Sequence, residues 1–310
     1  MANKPCVFIH VNHKQILGAH VGERALRHFS ANNDKFDVRF IDTRDHPFLE
    51  AREGQEFLRN GVMREWLIDD LQSFTPLRFM PPKLMGFEGR ALIIDPDVFA
   101  VSDVWELLNR DMGGKAILCR PRSRISNDTN GPMASSVMLL DCAKLRHWDA
   151  ETQFNEMFES KRDYKKWITL EYEARDTIGL LEKNWNDLDV LNQQTKMLHT
   201  TKRWTQPWKA GLPIDFVPAD KSKWFPPLGW IMHLRRKLFG DYALLGKYKS
   251  HPDSNQENLF FGLLQECLEK GEVSEAMVKH EMAQNHVRHD AFSVLSSVPP
   301  LRQTLSALPA

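Results

Sequence analysis

The sequence predicts an α/β fold with a mixed, mainly parallel central sheet flanked by helices and a helical C-terminal extension. Three observations carry this. The first half of the 310 residues alternates short apolar runs with amphipathic stretches, as strands and crossover helices do in parallel sheets. One run, ALII at 91–94, is apolar without alternation, as suits a strand covered on both faces. From Asn255 onward the spacing of apolar residues is helical.

Taken in order, CVFIHVN (6–12) reads as a strand, and ILGAHVGERALRHFSANN (16–33) as a helix with apolar residues three and four apart. FDVRFIDT (36–43) alternates and is a second strand. A helical stretch is expected around Met63 to Phe74. It is followed by the strand RALIIDPDVF (90–99), the helix VWELLNR (104–110), and the strands KAILCR (115–120) and SSVMLLD (135–141). Residues 146–198 read as helix-rich and aromatic, and 204–230, rich in tryptophan and proline, as packed loops. ENLFFGLLQECLEKG and VSEAMVKHEMAQNHV form a helical hairpin, with Gly271 as the stop between them. There is no internal repeat.

Composition narrows the function. The 41 basic and 41 acidic residues cancel, so no net field draws the chain to nucleic acid, and a charged partner has to be met locally. Cys6, Cys119, Cys142 and Cys267 lie far apart with no CxxC pair, which fits reduced thiols in the cytoplasm and excludes a zinc-finger reading. No apolar stretch approaches the ~20 residues that span a bilayer, and the N-terminus runs into a strand with no room for a signal peptide. LGWIMHLRRKLFGDYALLGKYK (228–249) is either a basic amphipathic segment for peripheral contact with an acidic inner membrane face, or a packed helix with a solvated basic side. Neither GxGxxG nor GxxxxGK[ST] occurs, so bound phosphates need a device other than a glycine loop.

Such a device is present where the ALII strand ends in Asp95 and Asp97. Ligands of open α/β sheets bind beyond the carboxyl ends of strands. Two carboxylates two residues apart can hold a hard divalent cation, which can in turn hold a diphosphate. The alternative is that Asp95 caps a turn and Asp97 faces solvent.

Four stretches occur in a telling order: ALIIDPD (91–97), ASSVMLLDCAKL (134–145), NDLDVLN (186–192) and HTTKRWTQPW (199–208). Over roughly residues 5–220 the chain resembles the nucleotide-diphospho-sugar transferases of GT-A type, glycosyltransferase family 8 in particular. The expected division is a nucleotide-sugar-binding catalytic domain over 1–250, for which the resemblance speaks, and a helical extension over 251–310 packed on it, which lies outside the resemblance and rests on the helical spacing. The resemblance implies transfer of a hexose from a nucleotide diphosphate sugar, a UDP-sugar first, to a hydroxyl of a sugar, lipid-linked or protein acceptor, with retention at the anomeric carbon. Asp95, Asp97 and His199 would ligate Mn2+ or Mg2+, with Asp95 also touching the donor ribose. Ala134, Ser135 and Ser136 would approach the donor sugar.

Asp187 and Asp189 align with acids placed near the reacting carbon, where a carboxylate stabilises an oxocarbenium-like transition state. Both also suit a helix start at NDLDVLNQQ. His10 and Asn12 lie at the end of the first strand, where the resemblance implies that the base or ribose is held. Two positions depart from the relatives' pattern. Leu188 replaces a glutamine between the two acids, and Gln206 replaces the lysine that contacts the diphosphate. Lys202 and Arg203, or Arg78 and Lys83, are the candidates to supply the missing charge, while Trp204 and Trp208 pack the loop. A sugar-1-phosphate nucleotidyltransferase would show a glycine- and arginine-rich loop where VNHKQILGAHVGE stands. A metal-dependent phosphohydrolase and a non-catalytic sugar-nucleotide binder remain open, and so does the oligomeric state.

Overall fold

In the computed structural model, which describes residues 4–123, 131–216 and 245–310, the five predicted strand runs join a sixth strand, from the stretch read as helix-rich, in one six-stranded sheet. Its strands are β1 (Cys6–Val11), β2 (Asp37–Asp42), β5 (Arg90–Ile94), β7 (Ile117–Pro121), β8 (Met133–Asp141) and β9 (Ile178–Leu180), in the order β2-β1-β5-β8-β7-β9. Five run parallel and β8 alone is reversed. Two small sheets complete the strands. β3 (Glu56–Arg59) pairs with β4 (Val62–Glu65), and β6 (Val98–Ala100) lies with β10 (Asp187–Leu188) and β11 (Met197–His199).

The two-sided burial read from the sequence has a direct structural counterpart. Val7, Ile9, Leu92, Ile94, Val137 and Leu139 point into one core, and Phe8, Ala91, Ile93, Met138 and Leu140 into the other. A strand alternates its side chains across the sheet, so a run buried on both faces loses its alternation of polarity. The first core is covered by α1 (Ile16–Phe29). The second is covered by aromatic residues, among them Phe79 stacked on Trp167 at 4.4 Å. Short helices α2 (Pro47–Glu50), α3 (Pro81–Leu84), α4 (Trp105–Leu108), α5 (Ala150–Phe158) and α6 (Tyr164–Ile168) edge the sheet. All four cysteines are free and buried, and burial pushes each thiol up to about 12.

The C-terminal helices are α7 (Ser254–Glu269), α8 (Glu275–Ala283), α9 (Ala291–Ser297) and α10 (Leu301–Ser306). α7 lays Leu259, Phe260, Leu263 and Leu264 into the α1 core, each contributing about 1.5–3 kcal/mol by burial. Gly271, at φ 71°, ends the first arm of the predicted hairpin. Arg24 of α1 ties the turn down by donating to Glu272 at 2.8 Å. Among the described residues no helix is long and apolar enough to cross a membrane. Of the basic segment 228–249, residues 228–244 lie outside the described residues.

Two expectations are corrected. The helix around Met63 to Phe74 is instead strand β4 followed by a series of turns. Its apolar residues serve separate neighbours: Trp66 donates to the Leu49 carbonyl at 2.9 Å, Leu71 packs with Leu212 and Ile214, and Phe74 lies 4.8 Å from the His10 ring. The signal against a helix was Asn60-Gly61, both at positive φ in a tight hairpin turn whose amides bond to the Asp163 carboxylate. The helix expected at NDLDVLNQQ is also absent. Asp187 begins β10, and Asp189 sits at φ 58°.

Gly18 fixes how closely α1 approaches the end of β5. A Cβ there would stand 2.8 Å from the backbone oxygen of Pro96, between Asp95 and Asp97. Gly18→Ala is expected to cost about 1–3 kcal/mol by overpacking and to displace the acidic turn. Gly22→Ala, whose Cβ would meet the Val98 oxygen at 3.4 Å, serves as the milder control. Urea midpoints of the two variants check this, and equal midpoints would count against it.

Candidate metal and donor site

The site begins where β5 stops. Asp95 donates its amide to the Ser136 carbonyl at 3.1 Å, and Val98 returns a bond to the Asp95 carbonyl, so the D-P-D turn is fixed by backbone before any side chain acts. The Asp95 carboxylate is buried between two cationic or ionisable partners. Arg78 meets it with two nitrogens, Nε to Oδ1 at 3.0 Å and Nη2 to Oδ2 at 2.5 Å, and donates a third bond to Ser135 Oγ at 2.9 Å. His10 Nε2 stands 3.0 Å from Oδ1. Burial works to raise the Asp95 pKa, but Arg78, His10 and His199 outweigh it and hold the carboxyl well below the ordinary carboxylate range. Burial lowers the His10 pKa against the pull of Asp95.

The second half of the site is brought in by β11. It runs antiparallel to β6 with His199 opposite Val98, and Thr200 donates its amide to the Asp97 carbonyl at 3.1 Å. His199 Nε2 therefore lies 3.3 Å from Asp97 Oδ1 and 3.9 Å from Asp95 Oδ2. One ligand atom from each of these three residues falls within 4.8 Å of the others. Burial lowers the His199 pKa, but the two carboxylates overcome it and the ring is more basic than usual.

Asn186 was not anticipated, although it opens the NDLDVLN stretch. It is fully buried, donates to Ser136 Oγ at 2.9 Å, and offers its Oδ1 to His199 Nδ1 at 2.9 Å. Because the amide nitrogen is committed to Ser136, the oxygen has to accept from Nδ1–H, which leaves Nε2 as the atom facing the acids. Asn186→Ala is expected to weaken Mn2+ binding about 10–100-fold. Titration monitored by the free-ion EPR signal reads this, and an unchanged affinity would mean that the ring is held by packing alone.

These groups open onto a cleft of about 350 Å³, lined by Arg78, Asp95, Asp97, Ala134, Ser135, Ser136, Leu188, His199, Arg203 and Gln206. Other predicted residues are placed elsewhere. Asp187 and Asp189 do not line the cleft, because the alternation of β10 presents Leu188 to it instead. Asp187 accepts from Thr195 Oγ1 at 3.1 Å, and burial raises its pKa. Asp189 accepts from Thr201 Oγ1 and the Lys202 amide, bracing the 199–205 loop. Asn12 is buried and its amide donates to the Asp70 carbonyl and Ser73 Oγ, so it anchors the loop that lines the cleft. Lys83 pairs with Asp149 at 3.7 Å beside a separate surface hollow, and Lys202 is exposed. Trp208 is buried and stacked on Phe260, and Trp204 packs edge-on against Phe216.

Gln206, where a lysine was expected, is almost wholly buried at the cleft wall. Its Oε1 lacks a hydrogen-bond partner among the described residues. An amide oxygen there accepts from a ligand hydroxyl and repels a phosphate oxygen. Arg203, half-buried in the same wall with its guanidinium 5.6 Å from the centre of the Phe216 ring, brings the positive charge that Gln206 does not.

No protein-family model matches the chain, and no curated protein matches it. Among solved structures it is similar to the galactosyltransferase LgtC in complex with donor and acceptor sugar analogues, at 12% identity over 73% of this chain and 95% of that one, with a TM-score of 0.48. It is also similar to the glycosyltransferase GlyE of Streptococcus pneumoniae TIGR4, at 14% identity over 87% of this chain and 64% of that one, with a TM-score of 0.47. A third similarity is to mouse xyloside xylosyltransferase 1, at 14% identity over 63% of this chain and 97% of that one, with a TM-score of 0.42. These likenesses concern the course of the backbone and carry no substrate with them.

Proposed function

We propose that this chain is a metal-dependent glycosyltransferase that moves a hexose from a UDP-sugar to a hydroxyl acceptor with retention at the anomeric carbon. The observation that supports it most is the convergence of Asp95, Asp97 and His199 beyond the carboxyl end of a central strand. Asp97 and His199 come from positions about a hundred residues apart, and the 3.3 Å between them follows from the β6–β11 register. Carboxylates with an imidazole suit Mn2+ somewhat better than Mg2+. The donor set fits such an ion, with Asp95 shared between it and Arg78.

When bound, a divalent cation at these three residues would offset the diphosphate charge and stabilise its departure. The chain's own groups do the rest. Asn186 holds the His199 ring in the ligating tautomer, and Arg203 adds fixed positive charge at the wall. Ser135 and Ser136 form a small-residue floor on which a hexose can lie, with Ala134 beside them. In such a reaction the departing phosphate can itself take the acceptor's proton, so this reading requires no dedicated general base.

A second reading, a sugar-nucleotide binder without turnover, is favoured by the placement of Asp187 and Asp189 outside the cleft and by Gln206. Incubation with a panel of labelled UDP-sugars and Mn2+, with and without acceptor extract, separates the two. Metal-dependent release of UDP supports transfer. A metal-dependent thermal shift without release supports the binder, and neither result would leave the site without a nucleotide sugar.

A further inference from the structure

Beyond the donor site, the cleft wall carries Arg122, with Arg59 and Lys165 near it, cations for which the metal scheme has no use. Arg122 follows β7, two strands and so roughly 10 Å across the sheet from the end of β5, on the side away from β1. It lines the cleft, and among the described residues no carboxylate pairs with it. Lys165 lies on α6 one turn before Ile168, a cleft residue whose carbonyl accepts from Ser135 Oγ at 2.6 Å, so the helix is pinned to the floor of the sugar site. Arg59 comes from the β3–β4 hairpin, stacks over the Tyr164 ring at 4.7 Å, and reaches the cleft residue Gln72 at 3.4 Å.

The nearby acids are engaged elsewhere. Asp163 is committed to the amides of Asn60, Gly61, Lys165 and Lys166, and Glu171 accepts from Thr169 Oγ1. Of the other cations that line the cleft, Arg78 is neutralised by Asp95, and Arg203 stands in the wall with Gln206. Arg122 lines the cleft, Arg59 and Lys165 stand near enough to bear on its charge and on each other's, and no carboxylate among the described residues forms an ion pair with any of the three, an arrangement that favours a ligand bringing negative charge.

We infer that Arg59, Arg122 and Lys165 form a subsite for an anionic group on the acceptor, a phosphate or carboxylate borne by a sugar, so that the chain glycosylates a charged acceptor. The assignment to the acceptor rests on the transferase reading above, while the anion site itself does not. Lys165 offers an independent handle. Burial first, then the charges of Arg122 and Arg59, lower its pKa to about 8 against the opposing pull of Glu171 and Asp163. An anion seated there raises it again, so binding near pH 8 takes up a proton.

The test uses the full chain with hexose 6-phosphate, the neutral hexose and UDP as probes. Hexose 6-phosphate is expected to bind at least tenfold tighter than hexose, to weaken as salt rises, and to bind equally with UDP and Mn2+ already present. Arg122→Gln and Lys165→Gln should each lower its affinity about tenfold and leave UDP affinity within twofold, with Arg122→Lys retaining most of it. Calorimetry in two buffers of different ionisation enthalpy should show proton uptake at pH 8 that Lys165→Gln lacks. Equal affinity for the phosphorylated and neutral sugars, or insensitivity to Arg122→Gln, would overturn the subsite. One-for-one displacement by UDP would assign these cations to the donor and also overturn it. Failure of UDP-sugars to bind the unaltered protein would instead sink the transferase reading and leave the anion site standing.

Discussion

Arg78→Leu is expected to destabilise the protein by about 3–5 kcal/mol, because it leaves the Asp95 carboxylate buried without its bidentate partner. Burial disfavours the charged form of His10, which makes its ring a poor substitute for the guanidinium. The size of the effect comes from desolvation and not from the strength of the pair, so the double variant Arg78→Leu/Asp95→Leu should recover much of the loss. Guanidinium midpoints of the wild type, both single variants and the double variant measure this. A loss below about 1 kcal/mol for Arg78→Leu would show that water reaches Asp95.

The pH dependence follows with a definite sign. The Asp95 pKa is lower in the folded state than in the unfolded chain, so its contribution is fully present above the ordinary aspartate value of about 4. It is lost as pH falls below that value toward the depressed folded one. Acid should therefore weaken the wild type more steeply below about pH 4 than it weakens the double variant, and parallel acid profiles would contradict the assignment.

The second large effect is on ligand binding. Asp97→Ala removes a half-buried carboxylate whose side-chain contact is His199. The loss for stability should be small, while Mn2+ affinity should fall by more than about 100-fold, beyond the range seen when only a supporting residue is lost. The Mn2+-dependent thermal shift with UDP-sugars should vanish with it. A retained shift would remove Asp97 from metal binding, since one carboxylate, water and the diphosphate oxygens would then suffice to hold the cation. His199→Ala should behave alike, but it also frees Asn186, so a modest loss of stability is expected as well.

Placement of the D-P-D turn was legible in the sequence because it depends on one local fact, an apolar run that stops at acids. His199 was legible only through the order of four stretches, since its partner lies about a hundred residues upstream. The roles expected of Asp187 and Asp189 did not carry through to the cleft. A two-residue strand presents one side chain inward, and Leu188 holds that place. The Met63–Phe74 helix was misread for a similar reason. Its apolar spacing is helical, but Trp66, Leu71 and Phe74 are claimed by three different neighbours, and the Asn60-Gly61 turn before them sets a hairpin.

The sequence by itself determined the α/β class, the two-sided central strands, the acidic turn and the helical C-terminus, because hydrophobic burial follows a period of 2 or 3.6 along the chain. Tertiary structure alone decided which charges meet. Arg78 reaches Asp95, Asn186 reaches His199, and Arg59, Arg122 and Lys165, from a hairpin, a strand end and a helix, come close enough to bear on one another. Periodicity reports which face of an element is buried, whereas the pairing of side chains across that face depends on elements that are remote in sequence.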